Sequence, residues 1–388
     1  EVYDFDITID NATAALFFLL QTTGSIFQIV AGRQLSVFAN DSEHYFTKEP
    51  ISADAVIKQT TSVGIREGVR VHDMDGALEF IQGDGASLRE FLYNYDEQSI
   101  QSNNLSFKAG NLINAPIDTD LRKAVNADET DQLHIVNGDG RIVLMCALRS
   151  QSVPGAFTEL NISNGKFLAV GADAKKRVYV VTERLIGNSI ERFVEKFDDE
   201  YTLDCAVKIE VPAEEYVANA GQTIFHYSFS SPMLDEQIGV RNQGGRLSPY
   251  DYIVDRDLKT ITLHVPAEEK AIIRISKMIK TVTGVTDLDG AKVYTIVDGI
   301  LSDEVLVTAG SFTLSDYADT SIEYGFDYDV DCESLPPRIP GQQTLTGKKL
   351  RIPRVILSLY ETEGIEIAVN AIPVRTKDFE WKTTVTAS

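Results

Sequence analysis

Asp327, Asp329 and Asp331 occupy alternate positions in the run DYDVD. In an extended strand that period points all three carboxylates to one face. Several carboxylate oxygens together suit a hard cation such as calcium. Two of them across a pocket would suit glycoside hydrolysis. The plainer reading, which we adopt, is a solvated strand face, because acids are seldom buried without partners. DMDG (73–76) and DLDG (287–290) begin like a calcium loop but lack its later ligands, including the closing Glu, so they read as Asp-Gly turns. His44, His72, His134, His226 and His264 form no HExxH and no paired spacing. There is no GxSxG and no Walker loop, and GDGASL (83–88) breaks the dinucleotide fingerprint. Cys146, Cys205 and Cys332 are widely spaced with no CxxC, which argues against structural zinc and a disulfide framework. Asn11, Asn40, Asn104 and Asn161 sit in Asn-x-Ser/Thr sequons and read as chance matches. The expectation is a protein that is not an enzyme, with no catalytic, cofactor-binding or metal-ligating residue and no cofactor.

Composition narrows the class further. The chain has 388 residues, and Lys plus Arg number 36 against 58 for Asp plus Glu, a formal net charge of −22. A protein that grips nucleic acid must neutralise phosphates, and no basic run is present to do so, so tight binding to DNA or RNA is disfavoured. An acidic surface also serves solubility, and an acidic wall beside DNA lets a duplex slide without sticking. Hydrophobic residues make up 43%, enough for real cores. No apolar run reaches the length of a membrane span. ATAALFFLLQ (12–21) is too short for one and lacks a basic flank, so it reads as a buried strand or short core helix.

The elements that would position these residues are strands. FQIVAGRQLSVFAN (27–40), LEFIQGDGASLREFLY (78–93), LHIVNGDGRIVLMCA (133–147) and VYVVTERLIGNSIERFVEKF (178–197) each read as strand, Gly-containing turn, strand. Gly32, Gly83, Gly138 and Gly187 recur about every 50 residues, the repeat of propeller blades. A β-sandwich built of similar hairpins is the alternative. NNLSFKAGNLI (103–113) and DTDLRKAVN (118–126) read as short helical connectors. The pattern changes near residue 210, where short strands suggest a small antiparallel module with an exposed loop at 242–249. A later module begins near 281 and contains a polar connector at 332–349, followed by the strands RIPRVILSLYET and GIEIAVNAIPVR. The expected fold is mainly β: a propeller-like domain of repeated hairpins plus small antiparallel β modules. The expected divisions are 1–210 (propeller-like), 211–280 (small antiparallel module) and 281–388 (late β module).

One hairpin, RVYVVTERLIGNSIERFVEKFDDE (177–200), has an odd second strand. Glu191, Phe193, Glu195 and Phe197 share a face, a poor pattern for burial. In that stretch Gly187, Arg192, Phe193 and Glu195 match a motif of the tail nozzle proteins of short-tailed phages, also called tail tubular protein B. GVRVHDMDGALEFIQGDGASLREFLYNYDEQSIQSNNLSFKAGNLI, DQLHIVNGDGRIVLMCA and TGVTDLDGAKVYTIVDGILSDEVLVTAGSFTLSDYADTSIEYGFDYDVDCESLPP resemble later segments of that family, ahead of a Gly-Lys join, here LTGKKLRIPRV. The resemblance runs from roughly residue 12 to 370 and rests on the order of degenerate motifs. Members of the family usually carry an additional N-terminal portion, so Glu1 is expected to lie inside a larger polypeptide. Residues 221–279 resemble the N-terminal adaptor domain of phage tail fibres.

The resemblance implies a structural protein of the virion tail. Six copies would form a nozzle ring below the portal and adaptor, with propeller domains outward and tail fibres held at the sides. Double-stranded DNA would pass the channel with little affinity and be retained at the tip. In such a ring Glu191 and Glu195 are expected to face a neighbouring subunit, with Phe193 and Phe197 covered by the next blade or protomer. The alternatives are a tail fibre or receptor-binding component, or a β-propeller that binds or cleaves glycans. Trp381, the single Trp, lies near the C-terminus, so a glycan platform would fall to Tyr.

Overall fold

The computed structural model describes residues 18–20, 22, 24–48, 51, 55–95, 99–126, 129–148, 153–229, 237–328 and 330. Asp329, Asp331, Cys332, Trp381 and Asn11, most of the 12–21 stretch, the connector at 332–349 and the two strands expected after it lie outside these residues. The described protein is mainly β, and none of its sheets closes on itself. No described helix is long and apolar enough to cross a membrane.

Four antiparallel sheets follow one another along the chain. The first is β1 (Ile26–Ala31), β2 (Leu35–Ala39), β3 (Glu43–Phe46) and β4 (Ile57–Thr61). The second is β5 (His72–Met74), β6 (Ala77–Ile81), β7 (Leu88–Asn94) and β8 (Ser99–Asn104). The third is β9 (Asp118–Arg122), β10 (Asp131–Val136), β11 (Ile142–Leu148) and β12 (Val153–Leu160). The fourth has three strands, β13 (Gly165–Ala172), β14 (Val178–Ile186) and β15 (Ser189–Lys196). Each of the four hairpins read from the sequence falls in a different sheet.

The sheets pack face to face in series. Phe38 and Tyr45 of the first sheet meet Leu78, Phe80 and Phe91 of the second. Met74, Ile81 and Leu88 of the second meet Leu133, Ile135, Val143 and Met145 of the third. Val136 and Ile142 of the third meet Phe167, Val170, Val178 and Val180 of the fourth. Sheets covered on both faces need strands without alternation. This is why every residue of β6 (ALEFI) is buried, and why the last four of β10 (LHIV) are.

Two expected helices are absent. DTDLR forms β9 because its alternation, not a helical period, matches the faces available: Leu121 packs toward the core shared with the second sheet, and Asp118 and Asp120 turn to β13. NNLSFKAGNLI ends β8 and continues as turns. The Ser106 hydroxyl accepts the Leu88 N–H (3.0 Å) instead of capping a helix.

Beyond the fourth sheet, β16 (Asp204–Glu210) leads into a compact module and the chain returns afterwards. That module comprises β17 (Ala213–Val217), β18 (Ile224–His226), β19 (Ile238–Asn242), β20 (Gly245–Arg246), β21 (Tyr252–Asp255), β22 (Thr260–Leu263) and β23 (Ile272–Lys277). Its two sheets, β17-β23-β19-β20 and β18-β22-β21, enclose a core of Phe225, Val240, Ile261, Ile273 and Ile275. The 242–249 loop is the β19–β20 turn and its flank. Gly244 there takes φ +83°, and both Gly244 and Gly245 are exposed. The returning chain forms β24 (Ile279–Thr283), β25 (Lys292–Val297), β26 (Ile300–Leu301), β27 (Val305–Leu306), β28 (Ser311–Ala318) and β29 (Ser321–Phe326). β16 pairs with β29, so residues on both sides of the module share one core, with Val211, Val293, Phe312 and Ile322.

Candidate functional site

The odd hairpin is built inside out. On β14 the inward positions are Val178, Val180, Thr182, Arg184 and Ile186, all buried. Arg184 is 0% exposed at its side chain. A guanidinium there must be neutralised and its donors satisfied. Nε and Nη2 donate to the Glu195 carboxylate (2.8 and 2.8 Å), and Nη1 and Nη2 donate to Asp204 (2.7 and 2.7 Å). Nη1 also donates to the Ser163 carbonyl (3.0 Å), and the Phe326 ring centre lies 5.5 Å from the guanidinium carbon. Burial pushes the Arg184 pKa down, but its hydrogen bonds to the Glu195 and Asp204 carboxylates more than reverse this, so it stays above its ordinary value.

Glu195 is therefore not held for a neighbouring subunit, contrary to the sequence expectation; it neutralises Arg184 within the chain. Glu191 is exposed. Phe193 packs on the core around Val293, and Phe197 stacks on His134 (6.0 Å) beside Phe167. The exposed face carries Ile190 (67%) and Val194 (76%), with Leu185 opposite Ile190. The signal in the sequence was Arg184 itself, an arginine at an inward register position, which predicts acids from facing elements.

First strands of consecutive sheets are joined by side chains. The Val170 and Ala172 N–H groups donate to Asp118 Oδ2 (3.0 Å) and Asp120 Oδ2 (2.8 Å). His72 Nε2 lies 3.0 Å from the Thr119 hydroxyl, which donates to the Arg70 carbonyl (3.3 Å). These acids thus act as substitutes for strand pairing between β9 and β13.

A second ion cluster ties the compact module to its flanking sheet. Asp319, 0% exposed at its side chain, accepts from Arg241 Nε (3.0 Å) and Nη2 (2.7 Å), with Arg246 Nε at 3.6 Å. The bond to Asp319 raises the Arg241 pKa above its ordinary value. Asp298 accepts the Thr320 N–H and hydroxyl (both 2.7 Å). Burial pushes the Asp298 carboxyl up, but hydrogen bonds from Thr320 and Asp319 outweigh it and hold the group below the usual range.

No family model matches the chain, and no curated protein matches it.

The other residues singled out in the sequence lie apart. Asp327 is exposed. Asp73 accepts the Gly76 N–H (3.2 Å) within the β5–β6 turn, as Asp-Gly turns do, whereas Asp289 accepts the N–H of Gly310, 21 residues further along the chain (3.1 Å). His44, His72 and His134 sit in three different sheets, and His226 and His264 are exposed. Cys146 and Cys205 are free thiols, and burial, with the nearby Glu195 charge, raises the Cys205 thiol to about 12. Among the described residues no group of three His, Cys, Asp or Glu stands close enough to hold a metal ion. The acids that do cluster are taken up by arginines and backbone amides.

Proposed function

We propose that this chain is a structural subunit of a short-tailed phage tail, located in the virion. Six copies would form a nozzle ring that conducts and retains the genome below the portal and adaptor and supports tail fibres. The observation that carries the reading is the series of four antiparallel sheets packed face to face, three of them four-stranded. Serial sheets of this kind are how a propeller is assembled, and the nozzle resemblance implies a propeller. The module over 213–278, with its own core, supports the tail-fibre-adaptor resemblance of 221–279.

The test is the assembly state of the purified full chain, by native mass measurement and electron-microscope class averages. A six-fold ring is expected. A trimer would favour the fibre or receptor-binding alternative, and a stable monomer at all concentrations would remove the nozzle reading.

A further inference from the structure

The inward face of the fourth sheet packs on the third sheet and on the core around Val293, while its outward face meets water. Strand register sets three rows across that outward face: Leu185 beside Ile190, then Lys166, Glu183 and Arg192, then Val181 beside Val194. Leu185, Ile190 and Val194 are 55%, 67% and 76% exposed. Glu183 takes both of its neighbours, Lys166 Nζ at 3.0 Å and Arg192 Nη2 at 2.9 Å, so the middle row keeps one positive charge. Residues 165–196 hold seven Lys or Arg against four Asp or Glu, the reverse of the balance in the whole chain. An apolar face in water with an arginine at its centre has the make-up of a protein contact surface. The sheets already stack face to face in series, and this face is where the next layer would lie.

A surface that fits it must be apolar and acidic. The returning strands β24 to β29 supply one. Residues 279–326 hold two Lys or Arg against eight Asp or Glu, whereas the compact module over 213–278 is near balance, with seven against nine. Pairing sets Leu306 beside Lys292 and Leu301 beside Ile296, and these leucines are 55% and 53% exposed. Asp303 and Glu304 lie between them in the chain, both exposed. Glu304 takes Lys292 at 2.8 Å, and Asp303 adds a second carboxylate beside it.

We infer that the outward face of the fourth sheet docks on the Leu301–Leu306 surface of a second copy of this chain, with apolar side chains meeting and Arg192 brought to Asp303 and Glu304. Two copies repel at a distance, because each carries −22, so the local match decides which surfaces meet. The inference deepens the nozzle reading and rests on it only for the number of copies. The experiment records native mass and sedimentation of the full chain as parent, as Val194→Asp, as Leu306→Lys and as an equimolar mixture of the two variants. The parent is expected to associate. Each variant alone is expected to associate at least about tenfold more weakly, because an ion enters an apolar contact. The mixture is expected to regain association, since each variant offers the face that the other has lost, and this also shows that both are folded. Arg192→Glu should weaken association as Val194→Asp does, while Arg192→Lys keeps the charge and should retain most of it. A parent that stays monomeric, variants that associate like the parent, or a mixture as dissociated as its components would each overturn the inference. A six-fold ring untouched by either variant would overturn it and leave the nozzle reading standing. An assembly of another size that both variants abolish would do the reverse.

Discussion

Arg184 is a cation where the alternation of β14 calls for an apolar side chain, and two facts follow from its surroundings. Its attraction to Glu195 and Asp204 acts away from water, so salt should screen it little. Removing it leaves two carboxylates without their partner. Arg184→Ala is expected to cost about 3–5 kcal/mol in urea denaturation, with little change between low and high salt. Arg184→Lys keeps the charge but lacks the planar fork, so it should recover only part of that loss. A cost below about 1 kcal/mol for Arg184→Ala would mean the cluster is incidental. His134 offers a pH test. Burial pushes its pKa from 6.5 down to about 4, and it is stacked on Phe197 between the third and fourth sheets. The native state keeps the imidazole neutral while the unfolded chain takes up a proton below about pH 6.5. Stability from this residue is therefore complete above that pH and is lost as pH falls toward 4, about 3 kcal/mol in all. Burial also lowers His44 and His72, so they add to the same slope. His134→Leu is expected to flatten the decline in thermal midpoint between pH 6.5 and 4 without abolishing it. An unchanged slope would remove His134 as its source.

The joints between sheets show which turn residues matter. Before the second, third and fourth sheets the connecting segment docks on turns of the sheets it links. Gly64, Asn114 and Asn164 each offer a carbonyl there: Gly83, Gly138 and Leu185 donate to them at 3.0, 3.0 and 2.8 Å. The reverse bond runs from Ile65, Ala115 and Phe167 to the carbonyls of Ala39, Gly85 and Gly140 (3.0, 2.9 and 2.8 Å). The backbone turns through positive φ at Gly64, Ala115 and Asn164. A Cβ on Gly64 would lie 2.0 Å from the Asn40 carbonyl oxygen, whereas one on Gly68, also at positive φ, would meet nothing within 4 Å. Both alanine substitutions incur the left-handed penalty of about 1–2 kcal/mol. Only Gly64→Ala must also displace backbone, so its loss in chemical denaturation should exceed that of Gly68→Ala by at least about 1 kcal/mol. Equal losses would show that the joint is soft. The hairpins were legible because apolar runs and glycine turns are local signals. The glycine roles were not: Gly83 and Gly138 are close-approach positions, while Gly85 and Gly140 carry the positive φ. The helical reading of 118–126 failed because what selects a strand there is the β13 edge waiting for Asp118 and Asp120, a contact about fifty residues away that no local window contains. The Arg184 cluster was half legible, since the inward arginine is visible in the alternation but Asp204 reaches it from another strand.

For the whole molecule, the balance of charge would decide how it meets DNA in the proposed role. The acidic excess leaves −22 per chain, and many of the cations that exist are already committed: Arg184, Arg241, Arg141, Arg177 and Arg192 all pair with carboxylates within the fold. A cation held by a carboxylate releases few counterions on meeting a phosphate, so the usual source of DNA affinity is weak. In the proposed six-membered ring the field would add over the copies and repel a duplex, and salt would confine the repulsion to roughly 8–10 Å. Protomers must then associate against like-charge repulsion, which apolar contact can outweigh. The exposed Leu185–Ile190–Val194 face of the fourth sheet is one place where such contact is available. Two consequences of the like-charge repulsion are expected, and salt screens both. Assembly should strengthen as salt screens the subunits, while duplex affinity should be negligible at low salt, the condition that normally favours protein–DNA contact. Titrating labelled duplex against purified protein at low and moderate salt, with particle mass recorded at each point, measures both. Tight duplex binding at low salt that falls steeply as salt rises would reveal a cationic grip, and the repulsive-conduit account would have to be given up.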